Sequence, residues 1–328
     1  MIRKISAALV AATVAVIGTT SVAQAKTTLK IGTLAPPRSP WGKVFKTWTK
    51  AVDKKTNGEV ELTWLWNGTA GPEDAVVGKI KSGQLSGAAI TAVGLSKIYH
   101  PILALQIPGT FSSWAQLDSA RKGILGETQR AMADAGFFLG GFGDVGIGHV
   151  MSKGFAVKMP EDMKGKHPGT IRDDVIGPKI YQVIGGVSAV PSDVTGFLPL
   201  LNSGAIDIMS TPALAAEQLQ WASRLDHINT GDVYFSIGAL VLSKKQLDAM
   251  PEDQRKIVEE TGDLAAKALT KSIRSADSKS FERLKKKMEA HDPTDAEKAA
   301  WKEIYKKACQ RMKGADFPAE MLAKIKAC

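Results

Sequence analysis

Hydrophobic and polar positions alternate with two different periods over the first third of the chain. Residues 29–35 form a short apolar run, and residues 41–55 carry apolar side chains at every third or fourth position. The first pattern predicts a strand and the second an amphipathic helix. The apolar run 60–66, a helical pattern over 73–82 and a further apolar run over 88–92 continue the alternation. This order is typical of an α/β fold with a parallel sheet.

One short arrangement occurs twice, at positions about 120 residues apart. The segments KSGQLS (81–86) and NSGAID (202–207) each follow a helical stretch and precede a short apolar strand. Gly83 and Gly204 are therefore predicted to cap helices that lead into a sheet. The repeat indicates two similar lobes.

The two halves are joined by a glycine-rich stretch at 136–149, GFFLGGFGDVGIGH. No Gly-Lys-Ser/Thr follows it, and no Gly-x-Gly-x-x-Gly run in it opens a helix, so a phosphate or dinucleotide loop is not indicated. We predict a strand that passes between the lobes, where side chains must be small. From 251 onward the chain predicts long charged helices over 252–290 and 295–310, which brace both lobes.

Residues 1–25 read as a cleaved signal peptide. Arg3 and Lys4 precede an apolar run at 7–17, and the small residues at 22–25 form a cleavage site. The run is too short to span a bilayer, although an uncleaved anchor is the alternative. We therefore predict export to the periplasm, an oxidising compartment in which Cys309 and Cys328 are expected to pair as a disulfide.

Charge and residue chemistry exclude several classes of function. The net charge of +10 is spread over lysines that alternate with acidic residues at helical spacing, which is typical of solvated helix faces and not of a nucleic-acid surface. The five histidines lack the i, i+4 spacing of a zinc-binding helix, and no Gly-x-Ser-x-Gly elbow is present. The adjacent acidic pairs Glu73-Asp74 and Asp173-Asp174 are expected at solvated turns or helix starts. We expect no enzyme activity, metal or cofactor.

The order and spacing of several fragments resemble the solute-binding proteins of tripartite ATP-independent periplasmic (TRAP) transporters, the DctP-type family. These fragments are LKIGTLAPPRSPWG (29–42), TNGEV (56–60), IKSGQLS (80–86), MPEDMKGK (159–166), YQVIGG (181–186), LLNSGAID (200–207) and LSKKQLDAMPEDQRKIV (242–258). The resemblance implies a two-lobed α/β flytrap with hinge-crossing strands and long C-terminal helices. It also implies closure over one small ligand, usually an organic acid, and delivery to membrane permease subunits. The expected divisions are lobe 1 over 26–148, lobe 2 over 149–240 and bracing helices over 241–328.

The chain departs from the family where the ligand carboxylate is usually bound. The arginine with which family members usually bind this carboxylate corresponds to Gly169 in this chain. A second position, in the crossing strand, is commonly basic in the family and corresponds to Gly148. Two interpretations stay open: Arg172 replaces the missing arginine, or the site takes a neutral or largely apolar ligand, with the glycines leaving room for bulk. If Arg172 is not a ligand residue, we expect it at the surface, paired with Asp173 or Asp174.

Other ligand-binding candidates follow from their positions. Glu73 matches an acidic family position, with capping of its own helix as the alternative. Thr91 and the pair Ser210-Thr211 end equivalent strands, and the family usually places Asn where Thr211 stands. Tyr234 belongs to a set of bulky residues expected near the cleft, which also includes Trp64, Trp66, Phe142, Met209, Trp221 and Phe235. Import through a permease is the leading hypothesis, and carriage of a lipid-like molecule or a sensor role is the alternative.

Overall fold

The computed structural model describes residues 26–328, so the predicted signal peptide at 1–25 lies outside the described residues. Its strands are β1 (Thr27–Thr33), β2 (Val60–Leu65), β3 (Gly87–Thr91), β4 (Phe137–Ser152), β5 (Gly169–Ile171), β6 (Val190–Ser192), β7 (Ile208–Pro212), β8 (His227–Asn229), β9 (Tyr234–Ser243) and β10 (Glu289–His291). Its α-helices are α1 (Pro40–Lys55), α2 (Glu73–Lys81), α3 (Ala92–Ser96), α4 (Trp114–Asp134), α5 (Ile176–Ile184), α6 (Phe197–Ser203), α7 (Ala213–Gln218), α8 (Lys244–Asp248), α9 (Glu252–Lys287), α10 (Asp295–Met312) and α11 (Ala319–Lys324).

The strands confirm an α/β fold, but most of them belong to one mixed sheet. β1 pairs in parallel with both β2 and β3, as the strand-helix-strand order predicts. The long strands β4 and β9 are antiparallel to each other, and β9 is antiparallel to β3. The sheet is therefore not parallel throughout, because the chain must cross between the lobes and return.

The crossing strand β4 belongs to both lobes. Its first part pairs with β9, and its last residues pair with β7 and β8. We call the elements from β1 to α4 lobe 1 and those from β5 to β8 lobe 2. The glycine-rich stretch thus forms the predicted strand between them, and Gly143 lies so close to Leu269 of α9 that a larger residue would overlap with that side chain.

The repeated Ser-Gly segments confirm the predicted helix ends. Gly83 (φ +79°) follows α2 and leads into β3, while Gly204 (φ +74°) caps α6 and leads into β7. Both adopt the left-handed region that glycine tolerates best. Each strand then runs directly into a short helix, α3 or α7, so the two lobes present equivalent strand ends to the same cleft.

Apolar faces of the helices bury the sheet from both sides. Phe45, Trp48 and Val52 of α1 are buried, as the helical spacing predicts, and the indole N–H of Trp48 donates to Thr261 Oγ1 of α9 at 3.0 Å. The helix α9 spans 36 residues and packs against α1, β4 and α7. It therefore braces both lobes.

The C-terminal helices close one side of the molecule. α10 packs on α5 of lobe 2, and α11 packs on α4 of lobe 1. Cys309 of α10 is bonded to Cys328, with the Cα atoms 5.4 Å apart, which is ordinary disulfide geometry. Between residues 26 and 328, no helix has the length and apolar character needed to cross a membrane.

Candidate ligand-binding site

A cavity of about 250 Å³ lies between the lobes. Lobe 1 contributes residues from β1, α1, α2 and β3, lobe 2 contributes residues from β5 to α7, and Trp301 and Tyr305 of α10 form a third side. Its polar lining residues include Thr33, Glu73, Thr91, Gln106, Asp144, Thr170, Asp174, Tyr181, Ser210, Thr211, Tyr234, Ser236 and Tyr305. Among the described residues that line it there are three carboxylates and no Lys, Arg or His.

Glu73 forms the centre of the polar wall in lobe 1. Its carboxylate accepts the backbone N–H of Thr91 at 2.7 Å, the hydroxyl of Thr91 at 2.6 Å and the backbone N–H of Gly94 at 3.1 Å. Glu73 thus caps α3. It does not cap its own helix α2, the alternative that the sequence left open. Burial raises the pKa of Glu73, and these three hydrogen bonds only partly oppose the rise.

Gln106 is a further polar residue of the cavity that the sequence patterns missed. It is the last residue of a short 3-10 segment, His100–Gln106, and its Oε1 accepts the backbone N–H of Ile237 at 2.9 Å. Gln106 lines the cavity. A single glutamine in an aperiodic segment carries no sequence signal of this role.

The lobe 2 wall is apolar where the family resemblance implies an arginine. A Cβ atom at Gly169 would lie 2.8 Å from Met209 Sδ, 3.0 Å from Ile206 Cδ1 and 3.1 Å from Phe197 Cε1. These contacts are closer than ordinary packing allows. Gly169 lines the cavity, but the space that a side chain at this position would take is already filled by protein side chains and is not open to ligand bulk.

Gly148 is likewise covered by the protein. It pairs with Tyr234 across β4 and β9, and a Cβ atom at Gly148 would overlap with the Tyr234 ring. The Tyr234 hydroxyl donates to the carbonyl oxygen of Ser210 at 3.1 Å. Tyr234 and Ser210 line the cavity, whereas Gly148 supports the Tyr234 ring from behind.

Asp174 lines the lobe 2 side of the cavity at the start of α5, which is one of the two placements that the sequence predicts for it. Its two carboxylate oxygens accept the backbone N–H groups of Ile176 and Gly177 at 2.9 and 3.0 Å, so it caps the start of α5. Burial raises the pKa of Asp174. Burial also raises the pKa values of Tyr181, Tyr234 and Tyr305 in the same wall, so these phenols stay neutral at physiological pH.

The third carboxylate, Asp144, is compensated by arginines that do not line the cavity. Asp144 lies in β4, is 1% exposed and forms ion pairs with Arg121 of α4 and Arg274 of α9. Arg274 also binds Asp118 through two hydrogen bonds of 2.8 and 2.6 Å. Both guanidinium groups are thus committed to structural pairs on the far side of the strand.

Arg172 is exposed and is not among the cavity-lining residues. Its backbone N–H donates to the carbonyl oxygen of Ser192, and its charge helps to lower the pKa of Asp193. The acids expected to pair with it are otherwise engaged, since Asp173 forms an ion pair with Lys97 at 3.1 Å and Asp174 caps α5. The structure therefore does not bring Arg172 together with the other candidates.

The bulky residues expected near the cleft divide into two groups. Met209, Trp221 and Tyr234 line the cavity. Trp64 and Trp66 instead stack with Phe45 beneath the lobe 1 wall, and Phe235 packs against Trp114. Thr91 and Thr211 both line the cavity from their equivalent strand ends.

A cleft between two α/β lobes, crossed by shared strands and braced by one long helix, defines a solute-binding protein. The model of the family described as bacterial extracellular solute-binding protein, family 7 (DctP), matches residues 31–315, and the chain belongs to this TRAP solute-binding protein family. Family and fold are those of transport proteins and not of enzymes, and the family implies a periplasmic location.

Individual relatives are distant in sequence and close in fold. A solute-binding protein of Verminephrobacter eiseniae is 24% identical over 73% of this chain and 71% of its own length. A TRAP periplasmic solute-binding protein of Sulfurospirillum deleyianum with bound succinate has a TM-score of 0.85 at 17% identity, over 92% of this chain and 99% of that one. A sugar acid binding protein of Advenella mimigardefordensis in complex with galactonate has a TM-score of 0.86 at 14% identity, over 92% and 97%.

Proposed function

We propose that this protein is the periplasmic solute-binding subunit of a TRAP importer and captures a neutral, predominantly apolar solute for membrane permease subunits. The observation that carries the proposal is the absence of any basic side chain among the described residues lining the cavity, together with the carboxylates of Glu73 and Asp174 there. A ligand carboxylate in this cavity would have no cationic partner. Burying it would cost several kcal/mol.

A cationic solute fits less well than a neutral one. Each oxygen of Glu73 and Asp174 already accepts at least one hydrogen bond from the protein. The raised pKa values of both groups indicate surroundings that disfavour charge. These carboxyl groups thus stabilise the walls of the cavity and accept hydrogen bonds from ligand donors. They do not offer a free anionic partner to a cationic solute.

The solute is enclosed by closure of the two lobes about β4 and β9. Contacts that join the lobes support this step: Lys97 at the end of α3 pairs with Asp173 of lobe 2 at 3.1 Å. A ligand that touches both walls shifts the hinge equilibrium toward the closed state by its differential affinity for that state.

The test is a panel of probes with matched bodies and different head groups. Adamantyl, cyclohexyl and octyl bodies each carry a ketone, hydroxyl, carboxylate or ammonium group, and succinate and galactonate represent the acids bound by the structural relatives. Binding is followed by calorimetry at neutral pH. We expect neutral probes to bind at least tenfold more tightly than the carboxylates with the same body, about 1.4 kcal/mol or more.

The opposite preference, a carboxylate bound more tightly than its neutral counterpart, contradicts the proposal. Native mass spectrometry of the mature protein from its own host provides an independent check, because it identifies the molecule that co-purifies. An organic acid there points back to the usual family role.

A further inference from the structure

Gln106 is the polar residue that follows the buried stretch 102–105. The residues before it in the 3-10 segment, Leu103, Ala104 and Leu105, are 0% exposed and pack into the core. Gln106 itself is partly accessible and lines the cavity. The segment therefore holds its base rigidly and presents one amide to the ligand.

A backbone hydrogen bond fixes which end of the amide faces outward. The pairing of β3 with β9 ends at Thr91 and Gly238, so the next residue of β9, Ile237, has no partner in β3. Its N–H donates instead to Gln106 Oε1 at 2.9 Å. The N–H of Ile237 can donate to the side-chain oxygen of Gln106 and not to its NH2 group. The Gln106 side-chain carbonyl is therefore assigned to the side that faces β9, and Nε2 to the opposite side.

The only side-chain hydrogen bond of Gln106 within residues 26–328 is the one that its Oε1 accepts, and its Nε2 is not among the fully buried atoms that lack a partner, so the NH2 group is accessible to solvent or to a ligand. When a ligand excludes water from the cavity, leaving this donor unpaired carries a free-energy cost, and an acceptor on the ligand removes that cost. We infer that Gln106 is a specificity-determining residue that donates a hydrogen bond from Nε2 to a neutral acceptor oxygen of the solute, such as a ketone or another carbonyl. This inference rests on the proposed function, in which the solute is neutral.

The experiment compares acceptor and hydrocarbon probes that share a body. The pairs are 2-adamantanone with adamantane, cyclohexanone with cyclohexane, and 2-octanone with octane. Ketones accept hydrogen bonds and cannot donate them, so the ratio of ketone to hydrocarbon affinity reports the donor. In Gln106→Met, which removes the amide, we expect this ratio to fall about three- to tenfold, as expected for one neutral hydrogen bond.

Two further variants separate recognition from folding. Gln106→Glu keeps an oxygen for the Ile237 N–H and loses the NH2 donor, so the ratio should fall there as well while the thermal midpoint stays near that of the wild type. Gln254→Met is the matched control, because Gln254 is buried in α9, donates to Glu59 at 2.7 Å and does not line the cavity. It should leave the ratio unchanged.

The outcomes distinguish this inference from the proposed function. If the wild type binds ketones and both Gln106 variants keep the wild-type ratio, the role of Gln106 is overturned and a neutral solute stands. A wild type that prefers the carboxylate probes instead overturns the proposed function itself.

Discussion

The two walls of the cavity begin from equivalent elements and carry different side chains at one equivalent position. α2 leads into β3 in lobe 1, and α6 leads into β7 in lobe 2, each through a glycine. The first residue of α2 is Glu73, whereas the first residue of α6 is Phe197, and both line the cavity. A repeated backbone arrangement thus fixes where side chains meet the ligand, while a few residues decide what each wall recognises.

The difference between the walls extends to their hydrogen bonding. In lobe 1, the Glu73 carboxylate is held by Thr91 and Gly94, and Gln106 is held by Ile237. In lobe 2, Phe197 and Met209 are buried against Trp221 and Leu201 in an apolar cluster. We therefore expect the region around Glu73 and Gln106 to orient polar atoms of the solute and the region around Phe197 and Met209 to contribute hydrophobic contact.

The strongest way to break this comparison is to place an arginine in the lobe 2 wall. Gly169→Arg must displace Met209, Ile206 and Phe197 and bury an unpaired guanidinium. We expect the free energy of unfolding to fall by about 3 to 5 kcal/mol, from overpacking and an uncompensated charge together. Urea unfolding followed by circular dichroism measures it.

The matched control is Gly78→Arg, because Gly78 is an exposed glycine of α2 with no atom near its would-be Cβ. It should leave stability close to that of the wild type. A folded Gly169→Arg protein that binds succinate would show instead that lobe 2 still accommodates the arginine of its relatives.

Asp277 of α9 connects α7 of lobe 2 to the crossing strand β4, and its titration gives the next largest expected effect. The Asp277 carboxylate in α9 accepts the N–H of Ile147 in β4 at 2.8 Å and the N–H of Leu214 in α7 at 2.9 Å. Burial, followed in smaller measure by the charges of Asp232 and Glu217, raises the pKa of Asp277 from 3.8 to about 6. Because folding raises the pKa of Asp277, protonation of this carboxylate stabilises the folded state relative to the unfolded state.

The contribution of Asp277 to stability is therefore present below its ordinary pKa of 3.8 and is lost as pH rises through about 6. The rise corresponds to about 3 kcal/mol. We expect the difference in unfolding free energy between wild type and Asp277→Asn to change by up to this amount from pH 4 to 7. His149 contributes to the pH dependence of stability with the opposite sign, because burial lowers its pKa. Taking the difference between the unfolding free energies of the two proteins removes this contribution. Asp263→Asn, at an exposed position of the same helix, is the matched control for removing a carboxylate from α9.

A smaller effect compares the two strand ends directly. The Thr91 hydroxyl donates to Glu73 at 2.6 Å, whereas the Thr211 hydroxyl, which lines the cavity, forms no such bond to a carboxylate in the described part of the chain. Thr91→Val should lower the unfolding free energy by about 1.5 to 3 kcal/mol, the usual contribution of a hydrogen bond to a charged group. Thr211→Val should change it by less than about 1 kcal/mol. Equal losses in chemical denaturation would mean that the walls are not specialised in this way.

The sequence predicts the scaffold better than the site for a physical reason. The spacing of Phe45, Trp48 and Val52 and the glycines at 83 and 204 act within one helix or turn, so a local pattern reveals them. The position of Gln106 depends on Ile237, which is 131 residues away, and that of Tyr305 depends on how α10 docks against α5. Contacts of this kind form only when the whole chain folds.

Position within the repeated unit recovered part of the site nevertheless. Glu73 is a candidate because it matches an acidic family position, and Thr91, Ser210 and Thr211 are candidates from their places at strand ends; all four line the cavity. Their partners were not predictable, because whether Glu73 caps its own helix or the next one depends on the packing of α2 beside α3. The sequence can therefore indicate that a residue such as Glu73 belongs to the cavity, but only the tertiary structure determines which groups it forms hydrogen bonds with.

The smallest expected effect concerns Arg172, the candidate substitute for the missing arginines. Its side chain is exposed and does not line the cavity, so Arg172→Ala should change the unfolding free energy by less than about 0.5 kcal/mol. The affinity for the ketone and hydroxyl probes should also stay the same. Calorimetry with succinate and galactonate gives the decisive comparison, because a charge-assisted bond from Arg172 would make acid binding fall more than tenfold in the variant. Such a loss would return a cationic group to lobe 2 and remove the distinction between its wall and those of its acid-binding relatives.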